Sequence, residues 1–141
     1  MKKIFTFLII IVIIILIIAL KYSSYEIQVK NLLKENAEYE QYLDKEIYGI
    51  ELATIINKTI DKNIKNEVAK DENGIFIHND ENSIEVEIFM KDNEITYKME
   101  AFYNQGIEQF VQYYGNIKFK CTKVEYHEKT KQIKYMLIEQ L

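Results

Sequence analysis

The feature that most constrains this chain is an uninterrupted apolar stretch near its N-terminus. Residues 4–20 carry no charge, and Thr6 is the single polar residue among them. At about 1.5 Å per residue, a helix of this length just crosses the hydrocarbon layer of a bilayer. A helix of a soluble core has a polar stripe, whereas this segment is apolar on all sides. The stretch therefore predicts a membrane-spanning helix, with anchoring side chains at Ile4, Phe5, Phe7, Leu8, Ile11, Ile14, Leu16, Ile18 and Leu20.

The alternative is a cleaved signal peptide, whose apolar core is usually about 7–15 residues long and is followed by an A-x-A-like site. Residues 18–24 read IALKYSS, without that spacing, which favours an uncleaved signal anchor. Lys2 and Lys3 precede the stretch, and the positive-inside tendency places them in the cytoplasm. The sequence therefore predicts a single-pass protein of the cell membrane. Its expected parts are a cytoplasmic stub and anchor (1–21), a juxtamembrane helix (22–48) and an extracytoplasmic domain (49–141).

Charge and cysteine content restrict the function of the outward part. Residues 22–141 contain 15 Lys, no Arg and 22 acidic residues, a net charge near −7. Arginine is the usual bidentate reader of phosphates and base edges, so nucleic-acid binding is not expected. The single Cys121 excludes a disulfide within the chain and a zinc site built on several thiolates. With no catalytic motif and no phosphate loop, we predict neither an enzyme nor a cofactor.

The two histidines, His78 and His127, each lie beside carboxylates in the sequence. A zinc site needs three or four converging ligands, so we predict no metal site from either of them. The sequence leaves open whether the two histidines approach each other in the fold. Cys121 lies in phase with apolar neighbours and is expected to be a buried small hydrophobe rather than a nucleophile.

The juxtamembrane segment has a composition that favours helix, without Gly or Pro before Gly49. Its apolar positions recur at alternating steps of four and three, the spacing of a coiled-coil seam. One interpretation is self-association of two copies, with a polar residue fixing the register. The other is one face of a helix that rests on its own domain. The candidate seam residues are Val29, Leu32, Asn36, Tyr39 and Leu43.

Residues 49–141 predict an α+β domain. An amphipathic helix follows Gly49 and ends near Asn66, and a short helix lies between Gly106 and Gly115. From Gly74 onward the apolar period changes to two, which is typical of strands. The resulting fold class is a transmembrane helix extending into a helical rod, then a small antiparallel sheet of about five strands with one or two packed helices.

The strands of this sheet are predicted as follows. A first strand covers residues 75–77, and a hairpin joins residues 84–90 to 95–99 through a polar turn. A last hairpin joins residues 117–126 to a closing strand at 133–137. The inward face changes phase within its first strand, which predicts a β-bulge near Thr122.

The chain opens on KKIFT at residues 2–6, followed by the apolar run. This opening resembles the N-terminus of type IV pilins and pseudopilins, in which two lysines and a glycine precede Phe-Thr-Leu-Ile-Glu and an apolar helix that extends into a rod backed by a small antiparallel sheet. Ile4 stands where the family has its cleavage glycine, and Ile9 where it has the glutamate that guides subunit packing. The resemblance thus implies the order of elements, and implies neither prepilin processing nor standard filament assembly. The matching residues are Lys2, Lys3, Phe5 and Thr6.

The outer domain also resembles small membrane-anchored proteins of A/T-rich Gram-positive bacteria, a likeness that implies no activity. Two surface features of this domain could meet a ligand. Tyr97, Tyr114 and Tyr135 fall at core-facing positions. Tyr103, Tyr113 and Tyr126 are the tyrosines left for a ligand face, and stacking on them would suit a sugar or peptide. Lysines concentrate on the last hairpin, where they either meet an anionic partner or form its polar face. The candidate patch is Lys118, Lys120, Lys123, Lys131 and Lys134.

Two function classes follow. The first is an anchored structural or interaction protein of the bacterial cell envelope, which includes a pilin-like or secretion-assembly component and has a second copy or an envelope protein as partner. The second is an anchored binding module for an ion, an anionic envelope polymer or a peptide.

Overall fold

The computed structural model describes the backbone of residues 2–141 and the side chains of residues 4–141. It divides into two units, residues 1–35 and residues 36–141. Its fold is α+β, as predicted. The elements in chain order are α1 (Lys2–Glu40), β1 (Glu46–Tyr48), α2 (Gly49–Lys65), β2 (Glu85–Met90), β3 (Ile95–Lys98), α3 (Met99–Gln105), α4 (Ile107–Tyr114), β4 (Lys118–Tyr126) and β5 (Ile133–Gln140).

The first unit is the apolar part of α1. Its most apolar 18-residue window has a mean hydropathy of 3.3, and none of that window is buried by protein. The helix is therefore long and apolar enough to cross a membrane and is not a core helix of a soluble protein. A signal sequence near the N-terminus meets the same criterion. The side chains of Lys2 and Lys3, on which the predicted orientation depends, lie outside the described residues.

The second unit is built on a five-stranded sheet in the order β1-β4-β5-β2-β3. The prediction of an antiparallel sheet is wrong at one pair, because β2 and β5 run parallel, with Val86 opposite Met136 and Ile88 opposite Ile138. All other neighbouring strands are antiparallel. The parallel pair arises because α3 and α4 carry the chain from β3 back across the sheet. The hairpin of β4 and β5 then joins β2 on the side away from β3.

The predicted juxtamembrane helix ends earlier than residue 48. Helix α1 ends at Glu40, and residues 46–48 form the edge strand β1, in which Ile47 pairs with Phe119. Ile47 is buried while its two neighbours are exposed, which is the alternation of a strand. A strand of three residues is shorter than the windows in which hydrophobic periodicity can be recognised.

The predicted strand at residues 75–77 is also wrong. Only one isolated bridge, between Lys70 and Phe76, forms in this region. The apolar alternation predicted that Ile75 and Ile77 are buried, whereas Phe76 is the buried residue and Ile77 is 52% exposed. The backbone N–H of Phe76 donates a 3.2 Å hydrogen bond to the buried carboxylate of Glu100. This segment is therefore held by the Glu100 side chain together with backbone hydrogen bonds to residues 69–71, such as the one from the N–H of Ile77 to the carbonyl of Ala69 at 2.8 Å.

The other predicted elements are confirmed. Helix α2 buries its predicted apolar face, and α4 lies between the two predicted glycines. The hairpin of β2 and β3 has the expected turn, and the register of β4 shifts between Cys121 and Lys123, at the predicted bulge. Helix α3 was not predicted: its first residue, Met99, was assigned to the strand at residues 95–99, and residues 100–105 were assigned to no element.

One face of the sheet is covered by α2, α3 and α4, and this interface is the hydrophobic core. The strands bury alternate residues on that face, for example Val86, Ile88 and Met90 of β2. At the start of α2 the backbone N–H of Tyr48 donates to the carboxylate of Glu51, which satisfies one of the free groups of the helix end. The edge of this layer, where β3 meets α3 and α4, is left open.

Candidate binding site

A cavity of about 240 Å³ opens between the end of the β2–β3 hairpin and the two short helices α3 and α4. The helices meet at Gly106, which has a φ of 103° and lines the cavity. This left-handed backbone conformation is open to glycine at little cost and lets α4 turn back against α3. A Cβ at Gly106 would find no atom within 4 Å, so the glycine is required by the backbone and not by crowding.

The floor and walls of the cavity are aromatic. Phe110 is buried at its base, and Phe102 packs on it with ring centroids 4.9 Å apart. Tyr97 of β3 continues this row at 5.4 Å from Phe102, and Tyr114 lies 5.3 Å from Phe110 on the other side. Tilted contacts at these distances are favourable for aromatic rings and hold each ring in place. The cavity is thus walled by rings whose positions are fixed by one another.

The rim of the cavity is polar but uncharged. Asn93, Gln105 and Gln109 bring three amide side chains to it, and Tyr113 adds a ring that is 66% exposed. Gln109 and Tyr113 are four residues apart on α4 and therefore share one face of that helix. The eleven described residues that line the cavity are all uncharged.

One rim group is oriented by a hydrogen bond. The Nδ2 of Asn93 donates to the hydroxyl oxygen of Tyr97 at 2.7 Å, and the Oδ1 of Asn93 accepts the backbone N–H of Ile95 at 3.2 Å. The Tyr97 hydroxyl therefore acts as acceptor toward Asn93, and its own proton can be donated to a bound molecule. Together with the amides, this gives the rim both donors and acceptors beside apolar ring faces.

The tyrosines predicted to be available for a ligand are divided by the structure. Tyr113 lines the cavity, whereas Tyr103 lies outside it on α3. The Tyr126 hydroxyl donates to a carboxylate oxygen of Glu40 at 2.7 Å, and this hydrogen bond raises the pKa of Tyr126 to about 12. Tyr97 and Tyr114, which the sequence assigns to the core, are half-buried and serve both the core and the cavity.

The predicted lysine patch on the last hairpin is largely paired with acidic residues. The hydrogen bond from Lys118 lowers the pKa of Glu46, and Lys123 acts in the same way on Glu125. Lys131 lies in the turn before β5 with a φ of 60°. Pairing reduces the net positive charge of this surface, and an anionic partner for it stays a prediction. The ion pairs are Lys118–Glu46 (2.8 Å), Lys120–Asp44 (3.8 Å), Lys123–Glu125 (2.5 Å) and Lys134–Glu125 (3.5 Å).

The candidate self-association seam is divided between the two units. In the second unit Asn36 and Tyr39 are buried, at 8% and 4% exposure. The Nδ2 of Asn36 donates to the carbonyl of Lys131 at 2.8 Å, and its Oδ1 accepts the N–H of Ile133 at 3.0 Å. These two seam residues contact their own domain, which is the second interpretation of the pattern. Self-association through Val29 and Leu32 stays a prediction, and Leu43 is 38% exposed beyond the end of α1.

The two histidines do approach each other. Their rings stack with centroids 5.8 Å apart and planes 8° from parallel. His127 is buried, and its Nε2 donates to the carbonyl of Ser83 at 2.8 Å, while His78 Nδ1 lies 3.1 Å from the Ser83 hydroxyl. Among the described residues, no group of three or more His, Cys, Asp or Glu side chains could hold a metal ion. The two stacked rings and Ser83 thus form one hydrogen-bonded group.

Cys121 lies in the core, as expected, and burial raises the pKa of its thiol. The thiolate is the nucleophilic form of cysteine, so this environment works against reactivity.

A second cavity, of about 300 Å³, lies beside His127 and is lined by Asp80, Glu128, Lys129 and Lys134. Because two acidic and two lysine side chains line it, this second cavity favours neither an anionic nor a cationic ligand.

Sequence reasoning missed the amide side chains of the cavity. Asn93 and the two glutamines lie in a turn and on helix surfaces, where such residues are common and carry no signal alone. The spacing of Gln109, Phe110, Tyr113 and Tyr114 on α4 was visible in the sequence, but the residues of β3 and α3 that complete the cavity could not be placed without the tertiary fold.

Comparisons add no family to this description, because no protein-family model, curated protein or solved structure matches the chain.

Proposed function

We propose that this chain is a single-pass, membrane-anchored interaction protein of the bacterial cell envelope, with its N-terminus in the cytoplasm and its α+β domain outside. The observation that supports this proposal is the first unit, an apolar helix with a mean hydropathy of 3.3 that no protein surface buries. An exposed apolar surface of this size is stable in lipid and not in water. The separate compact unit of residues 36–141 is then available to bind a partner.

A test of the anchor replaces Ile11 and Ile14 together with lysine. Each lysine near the centre of a spanning helix costs about 2.5–3.5 kcal/mol of insertion free energy, so the double variant should leave the membrane fraction after an alkaline carbonate wash. The control is Ile77→Lys, at an exposed isoleucine of the domain, which should stay in the membrane fraction. Full-length wild-type chain in the soluble fraction would contradict the proposal.

The orientation and the signal-peptide alternative are tested on the same cells. A C-terminal alkaline phosphatase fusion should be active, because that enzyme matures outside the cytoplasm, and a matched fluorescent-protein fusion that matures only in the cytoplasm should be dark. Intact mass spectrometry of the chain without a fusion should return the full 16.9 kDa. A product shortened by the apolar stretch would identify a cleaved signal peptide and contradict the anchor.

A finer form of this proposal is a pilin-like or secretion-assembly component. It is supported by the order of elements, because α1 continues from Lys2 to Glu40 and is followed by a small sheet with packed helices. This form requires contacts between copies, so the wild-type chain in micelles should sediment as an oligomer, and a monomeric mass would contradict it. The second candidate function, an anchored binding module, is favoured by the aromatic cavity.

A further inference from the structure

We propose that the cavity between β3, α3 and α4 binds a single neutral sugar ring. The inference deepens the proposed function, since it names the chemistry that the outward domain would recognise in an envelope. It stands on the geometry of the cavity, namely fixed aromatic walls, an amide rim and an uncharged lining.

The aromatic walls suit the apolar face of a pyranose. A sugar ring presents C–H groups on its faces, and these carry a small positive charge that is attracted to the negative face of an aromatic ring. Tyr113 offers such a ring at the rim, where it is 66% exposed, while Phe102 and Phe110 close the base. A ligand would therefore cover apolar surface that the free domain leaves in water.

The polar rim of the cavity suits the equatorial substituents of the same sugar ring. Hydroxyl and acetamido groups need both donors and acceptors around their edge, which amide side chains supply. Gln105 and Gln109 provide amides, and the Tyr97 hydroxyl can donate because it already accepts from Asn93 at 2.7 Å. Sites for small molecules combine apolar walls with a few polar groups of this kind.

The uncharged lining and the size of the cavity argue against other occupants. A quaternary ammonium ion also stacks in aromatic cages, but such sites gain from a carboxylate, and none lines this cavity among the described residues. A charged sugar acid would lack a cationic partner in the same way. The volume of about 240 Å³ lies just below the usual range of about 300–1,000 Å³ for small-molecule sites, so one ring fits.

The test uses the full chain in phosphatidylglycerol nanodiscs, because the headgroups of common alkyl-glycoside detergents are themselves sugars. Saturation-transfer-difference NMR with N-acetylglucosamine should show saturable binding with a Kd on the order of 1 mM, as expected for one small ring. Protonated glucosamine and tetramethylammonium should bind at least about tenfold more weakly. A soluble N-acetylglucosamine tetramer distinguishes the source of the ring: tighter binding than the monomer identifies a glycan chain, and weaker binding identifies a free sugar.

Two pairs of variants locate the site. Tyr113→Ala and Gln109→Ala should each weaken binding about threefold to tenfold, the effect of losing one stacking or hydrogen-bond contact. The matched controls are Tyr103→Ala and Gln112→Ala, exposed residues of the same types that do not line the cavity, and they should bind like the wild type. All four positions are exposed, and near-ultraviolet circular dichroism confirms that each variant is folded.

The proposal is overturned if folded wild-type protein shows no saturable binding of N-acetylglucosamine or its tetramer, if tetramethylammonium binds more tightly, or if the control variants lose as much affinity as the cavity variants. A failure of the sugar-binding proposal can be distinguished from a failure of the proposed membrane anchor. Binding in nanodiscs is measured without reference to cellular location, and the fusion assays report location without reference to any sugar.

Discussion

At the scale of single residues, two buried asparagines hold the starts of strands. Asn63 of α2 exchanges two hydrogen bonds with the backbone of Ile84, at 2.7 and 2.8 Å. Asn36 of α1 does the same for the loop before β5, through the carbonyl of Lys131 and the N–H of Ile133. Each side chain takes the place of a neighbouring strand, since the N–H groups of Ile84 and Ile133 would otherwise be buried without partners. The loss of either asparagine should be costly, because leaving a buried polar group unsatisfied costs more free energy than forming its hydrogen bond gains.

The seam pattern and the structure make different predictions for Asn36→Asp. The substitution removes the donor to the Lys131 carbonyl and brings a carboxylate toward it, so the domain should lose about 2–3 kcal/mol of unfolding free energy. Urea unfolding of the full chain in micelles measures this loss, and Asn31→Asp, the same change at an exposed position of α1, is the control. Sedimentation mass should not change. A dimer that Asn36→Asp dissociates without changing the unfolding midpoint would show that Asn36 belongs to a self-association seam.

At the scale of elements, the start of α2 packs closely against the end of α4. The N–H groups of Gly49 and Ile50 donate to the carbonyls of Ile117 and Gly115, at 2.9 and 3.2 Å, so the segment that follows α4 satisfies the start of α2. A Cβ at Gly49 would overlap the carbonyl oxygen of Tyr114. The two helices can pack in this way only because residue 49 has no side chain.

We therefore expect Gly49→Ala to destabilise the domain by about 2–3 kcal/mol, since the carbonyl it meets is backbone and cannot rotate away. The measurement is the urea midpoint of the full chain in micelles. Thr54→Ala, at an exposed position of the same helix, should change the free energy of unfolding by less than about 0.5 kcal/mol. If Gly49→Ala were as stable as the wild type, α2 and α4 would not be in contact at this point.

The elements that sequence reasoning predicted are those whose periodicity continues over several residues. Helix α2 and the hairpins of β2–β3 and β4–β5 have long apolar patterns, and the change of phase at Thr122 marked a real bulge. Strand β1 is too short for a period to show. The conformation at Phe76 was missed because the Glu100 carboxylate, which accepts a hydrogen bond from the backbone N–H of Phe76, is distant in the sequence. The binding cavity was out of reach for the same reason, since its walls come from three elements.

At the scale of the whole molecule, the topology explains why the sheet has an open edge at the cavity. Strand β3 pairs only with β2, and α3 and α4 follow it directly in the chain. The parallel pairing of β2 with β5 places the long hairpin of β4 and β5 on the other side, so β3 remains an edge strand. A cavity at the end of a layer, next to a chain reversal, is therefore a consequence of strand order and not of one residue.

The stability of the whole domain should fall at alkaline pH, because several groups lose protons there and each loss lowers the free energy of unfolding. Burial and then a 2.7 Å hydrogen bond to Glu87 raise the pKa of Tyr135 above its ordinary value of 10.0, and a hydrogen bond to Glu40 raises the pKa of Tyr126 to about 12. Burial raises the pKa of the Cys121 thiol above 9.0. A folded-state pKa above the unfolded value gives stability that is complete below the unfolded pKa and is lost as the pH rises through the folded one.

The urea midpoint of the full chain in micelles should therefore be constant near pH 7–8 and fall from about pH 9 to 11. Tyr135 should contribute most, because Tyr126 is 41% exposed and solvent weakens its interaction. Tyr135→Phe should lower the unfolding free energy by about 1–2 kcal/mol at pH 7, since it removes a hydrogen bond to a carboxylate, and should make the alkaline fall shallower. Tyr103→Phe, at an exposed tyrosine of α3, should follow the wild-type curve. A wild-type midpoint that is unchanged up to pH 11 would contradict the hydrogen bonds from Tyr135 to Glu87 and from Tyr126 to Glu40.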